Sequence, residues 1–87
     1  MEAADVRRAC AGTLNALFSG AGVHRPIERG SPAEHVTWML AKIPEFMDAG
    51  RREKAMRWLG FAQGYVWANG YAGIDELKEA NRPAETV

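Results

Sequence analysis

The stretch Arg57-Trp58-Leu59-Gly60-Phe61-Ala62-Gln63-Gly64-Tyr65-Val66-Trp67 decides the fold, because it sets two glycines four residues apart among large side chains at helical spacing. Leu59, Ala62 and Val66 recur at three- and four-residue intervals, which is the period of an amphipathic helix. A glycine inside a helix loses roughly 1 kcal/mol against alanine, so two on one face predict a backbone packed close enough to offset about 2 kcal/mol. Gly60, Gly64 and Ala68 follow at four-residue steps and form one stripe of small residues. Two occupants fit it: an earlier helix of the same chain, or the same helix of a second copy crossing in a symmetric dimer.

Working outward, this third helix is expected from about Arg51 to Asn69, with Gly70 as its left-handed terminator and a broad apolar side that includes Met56. Trp58 and Trp67 read as core. Trp38 stands off the Val36, Leu40 and Ile43 stripe, beside His35 and Lys42, and reads as surface or interface. Gln63 lies between the two glycines: buried, it would need hydrogen-bond partners across an interface, and exposed it would need none.

Upstream, Ser31-Pro32-Ala33-Glu34 carries the marks of a helix start, a serine cap followed by proline in the first turn and a glutamate able to reach back. Val36, Met39, Leu40 and Ile43 are the buried stripe of this second helix, Pro44 predicts a kink or break, and Gly50 turns the chain. The Gly20–Ser31 segment, with three glycines and Pro26, reads as a long loop pinned by Val23 and Ile27. Before it, Val6, Cys10, Leu14, Leu17 and Phe18 predict a first helix from Ala3 to Ser19 ended by Gly20. Downstream, Ile74-Asp75-Glu76-Leu77-Lys78-Glu79 predicts a short fourth helix with acidic residues in its first turn, and residues 83–87 read as a flexible tail. The expected fold is all-α: one domain over residues 1–87, a small helical bundle made of a helix, a long loop, a helical hairpin with a proline kink and a short closing helix, dimeric.

Composition narrows the function. At 87 residues a chain buries only about 60–65% of the surface exposed when unfolded. A hydrophobic content of 47% with three tryptophans therefore favours association with a second copy. Eleven basic residues balance eleven acidic ones, which excludes the whole-molecule field of a non-specific nucleic-acid binder. Lone Cys10 excludes an internal disulfide, and no Cys/His cluster has metal spacing, so the expectation is a cytoplasmic protein with no metal and no cofactor. No apolar run is long enough for a signal peptide or a membrane span, so the mature protein is expected to be the whole chain and to avoid membranes.

Arg51, Arg52, Lys54 and Arg57 crowd positive charge into the start of the third helix, the end where the helix dipole disfavours cations. They read either as a solvated charged face with Glu45, Asp48 and Glu53 nearby, or as a site for a phosphate of nucleic acid or a nucleotide, or for an acidic protein surface. His35 and His24 stand in no recognisable relation to a nucleophile or carboxylate, and Cys10 reads as a small core residue, so no enzyme is expected.

The Trp38-Met39-Leu40 triplet, the Arg-Trp-Leu-Gly-Phe-x-Gln-Gly-x-x-Trp core at residues 57–67, Gly70 and Ile74-Asp75-Glu76-Leu77-Lys78 together resemble small accessory proteins encoded by phages and prophages. The resemblance spans roughly residues 35–81 and carries no catalytic or ligand residue onto this chain. It implies a compact oligomer in the cytoplasm of a bacterial host that binds and modulates a host protein, such as a defence component, or a signalling nucleotide. Gly73 stands where a serine or threonine cap would be expected before Ile74.

Overall fold

Two helix ends in this chain are written by glycine. In the computed structural model, which describes residues 1–19 and 26–83, Gly50 and Gly70 both take φ of +76°, a left-handed conformation that side chains disfavour. At the first, Gly50 N donates to Met47 O and Arg51 N to Phe46 O; at the second, Gly70 N donates to Trp67 O and Tyr71 N to Val66 O. These are the paired bonds that satisfy the last carbonyls of a helix. They close α2 (Pro32–Asp48) and α3 (Arg52–Ala68), which stand between α1 (Ala3–Ser19) and the short α4 (Ile74–Ala80). The described residues contain no strand. The expected all-α bundle is the fold.

Local chemistry sets the starts. Ser31 caps α2 by accepting from Glu34 N at 3.2 Å, with Pro32 in the first turn. The Glu34 carboxylate reaches one residue further back than a capping box requires and accepts from Gly30 N at 3.0 Å. Gly73 has no side chain to cap α4, yet Glu76 accepts from Gly73 N at 3.2 Å, so half of the reciprocal arrangement survives.

The core is where α1, α2 and α3 meet: Val6, Leu17, Val36, Ile43, Leu59 and Val66 are all nearly inaccessible. Ala9, Ala55 and Ala62 between them are fully buried, and these small residues let the helices approach closely. Half-buried Ile27 packs on this core, as expected of it. The expected stop at Gly20, the Val23 pin and His24 fall outside the described residues, as do residues 84–87 of the expected tail.

Three expectations are corrected. Pro44 does not break α2, which runs on to Asp48. One missing amide bond is outweighed by burial on either side, Ile43 fully and Phe46 and Met47 partly. Phe18 is 42% exposed rather than part of the α1 stripe, whose buried places go to Ala9 and Thr13. Gln63 is buried with partners inside the chain: its Nε2 donates to Asn81 Oδ1 at 2.7 Å and lies 3.2 Å from Thr13 Oγ1, while Asn81 Nδ2 donates to Gln63 Oε1 at 2.9 Å. Thr13 Oγ1 itself donates to Ala9 O at 2.8 Å. This amide pair fastens the end of α4 to α3 beside α1, and among the described residues it leaves no buried side-chain polar atom unsatisfied.

Candidate interaction surfaces on the second and third helices

A helix with 3.6 residues per turn that buries Ala55, Leu59, Ala62, Gln63 and Val66 must turn Arg57, Gly60, Gly64 and Ala68 the other way. All four are exposed. A Cβ built on Gly60 or Gly64 meets no atom within 4 Å, so the reading in which an earlier helix of the same chain fills the notch is overturned. The intrachain helices dock on the opposite side of α3 because the medium-sized apolar residues lie there. The close approach that glycine permits within the chain occurs at Gly12 instead, where an added Cβ would stand 3.1 Å from Ala80 Cβ.

Large apolar side chains flank the open notch. Phe61 is 60% exposed and Trp67 57%, while Met56 stands at the edge of exposure. Trp67 is therefore not core, a further correction to the sequence reading. Trp58, three residues before Phe61, rotates toward α2 and is half-buried against the core. The outer face of α3 thus has a floor of glycine between apolar walls.

A second surface runs along the seam of α2 and α3. Trp38, 48% exposed, lies between His35 at a ring-centroid distance of 5.4 Å and Trp58 at 5.7 Å. Phe46 meets Trp58 edge to face at 4.8 Å. Such contacts are worth about 0.5–1.5 kcal/mol each beyond area burial. Lys54 Nζ sits 4.5 Å from the Phe46 centroid and 5.2 Å from Trp58, and the Arg51 guanidinium carbon is 5.7 Å from Phe46. The result is a ladder of four rings with two cations at its end.

The basic cluster resolves into separate roles. Arg52 is spent on the amino terminus, donating to Met1 O with Glu2 4.0 Å away. Arg57 pairs with Glu53 at 3.6 Å on an exposed turn. Arg51 and Lys54 form no ion pair among the described residues. Glu45 and Asp48 do not neutralise the cluster, since they pair with Lys42 at 3.5 Å and with Arg7 at 2.6 Å. The four basic residues, with Gly50 and Glu53, rim a shallow hollow of about 330 Å³ at the start of α3, whose first amides receive no side-chain cap.

Cys10 is 5% exposed, and burial pushes its thiol up to about 11 against the opposing influence of Arg7, so it is a core residue with little thiolate at neutral pH. Among the described residues no group of three His, Cys, Asp or Glu could hold a metal ion, and no helix is long and apolar enough to cross a membrane. Phe61, Met56 and Phe46 belong to these surfaces although the sequence reading did not assign them there. The signal for Phe61 was available: it lies four residues after Arg57 and three before Gly64, hence on the face turned away from Leu59, Ala62 and Val66. Comparison of the chain with family models, with curated proteins and with solved structures finds no match.

Proposed function

We propose that this chain is a non-enzymatic binding protein, an accessory protein of phage or prophage origin that binds and modulates a host protein in the bacterial cytoplasm, a defence component being one such target, and that it works as a homodimer. The observation that carries the reading is the ring ladder of His35, Trp38, Trp58 and Phe46 ending in Lys54 and Arg51, neither of which is ion-paired among the described residues. Aromatic and arginine side chains clustered at a surface are the composition of binding hot spots. The face is apolar along its length and cationic at one end, so it suits a protein surface that offers an apolar patch beside a carboxylate. The phage context rests on the resemblance of residues 35–81.

The test is affinity purification from the natural host, identification of the retained protein, and titration of that purified protein against variants. Trp38→Ala should weaken binding about 30-fold or more, the effect of losing about 2 kcal/mol at a hot spot, with helical content unchanged because Trp38 is half-exposed. Undiminished affinity in that variant sinks the reading.

A second reading is favoured by one observation, the hollow rimmed by Arg51, Arg52, Lys54 and Arg57 over the uncapped start of α3. A phosphate of a nucleotide or nucleic acid would be held there by charge and amides together. Binding should then weaken steeply with salt and with Arg51→Glu. Oligonucleotides and cyclic nucleotides that fail to bind at low salt remove this reading.

A further inference from the structure

We infer that α3 crosses its own copy antiparallel about a two-fold axis passing between Gly60 and Gly64, so that the apolar end of each outer face covers the charged end of the other. This rests on the reading of the chain as a homodimer and gives that dimer a register. The occupant is a second copy because the face is complementary to itself in one direction only.

The charges of the outer face, Glu53 and Arg57, lie at its amino-terminal end, and from Phe61 to Ala68 it carries none. A parallel pair would lay Glu53 on the partner's Glu53, set Arg57 beside the partner's Arg57 and align the two helix dipoles, all unfavourable. The antiparallel pair removes each of these. Because a two-fold axis across the interface brings like flanks together, Met56 then meets the partner's Trp67, a sulfur-to-ring contact, and Arg57 lies over the partner's Ala68 within reach of the partner's Trp67. Phe61 falls near the axis beside the partner's Phe61.

Size matches at two places. Long Arg57 meets the partner's small Ala68, and Gly60 faces the partner's Gly64 at the centre. With open space at both glycine Cβ positions, the two backbones can approach more closely than the usual interaxial distance of about 8–10 Å. Phe61 and Trp67, more than half exposed in the single chain, lose that exposure on both sides of the crossing.

Cysteine pairing tests the register. Arg57→Cys and Ala68→Cys are purified separately, mixed and oxidised, while light scattering gives the mass of the wild type. Native Cys10 can stay, since it is buried with its thiol pushed up to about 11. Antiparallel crossing predicts a mixed 57-to-68 disulfide with neither homodisulfide accumulating, because two copies of position 57 stand ten residues of helical rise apart, about 15 Å, well beyond the roughly 4.4–6.8 Å a disulfide spans. Homodisulfides at both positions in a dimeric wild type overturn the antiparallel register and leave the dimer standing. A monomeric wild type at high concentration overturns both.

Discussion

The two faces of α3 invert the ordinary rule. Its inner face is lined by Ala55, Leu59, Ala62 and Val66 and buries a glutamine, while its outer face exposes a phenylalanine and a tryptophan around two glycines. The inner face is a finished structure, because the polar group it buries has partners in Asn81 and Thr13. The outer face is open in the single chain: it bears the helix-propensity cost of two glycines, about 2 kcal/mol together, with no atom of its own chain near enough to benefit. Stability explains the residues on one side of the helix, and the proposed second copy would explain those on the other.

The largest expected contrast is between Leu59→Ala and Phe61→Ala. Leu59 is nearly inaccessible, so truncation should cost about 3 kcal/mol in chemical denaturation. Phe61, two residues on and 60% exposed, should cost less than about 0.5 kcal/mol at concentrations where the chain is monomeric. Equal losses would erase the difference between the faces.

Next in size is the amide pair. Gln63→Leu strands the Asn81 amide and should cost about 1–3 kcal/mol, and adding Asn81→Leu should return part of that loss. Additive losses in the double variant would mean that the two amides do not act as a unit.

Cys10 sharpens the account of the core against which the inner face packs. Burial raises its thiol from 9.0 to about 11, so the folded state favours the protonated form. Its contribution is complete below pH 9 and is lost as pH rises through about 11, with stability falling by as much as roughly 2 kcal/mol across that window. Cys10→Ala should melt at a lower temperature at neutral pH and lose less on going to alkaline pH. Parallel pH profiles for the two proteins would contradict the assignment of that slope to the thiol.

Much of this was legible in the chain, for identifiable reasons. Gly50 and Gly70 mark helix ends because a positive φ selects glycine locally, and Ser31 with Pro32 marks a helix start by the same kind of short-range chemistry. The exposure of Trp38 followed from its place off the α2 stripe. Less could be read where distant residues decide the outcome. The burial of Gln63 depends on Asn81 and Thr13, eighteen and fifty residues away, and no local pattern points to either. Trp67 was read as core because tryptophan is large and apolar, although its spacing from Gly60 and Gly64 places it outward. The division of the basic cluster likewise turns on Met1 and Glu2, which reach Arg52 from the far end of the chain.

The central claim, that the outer face of α3 is kept for a second copy, is tested most directly by melting temperature across a wide range of protein concentration, for the wild type and for Gly60→Ala/Gly64→Ala. The wild type should melt higher as concentration rises, and the double variant should melt higher than the wild type when dilute, gaining about 2 kcal/mol of helix propensity, yet show no concentration dependence. A wild type whose melting temperature stays flat, beside a variant more stable at every concentration, would contradict the account and leave the two glycines as unfilled defects.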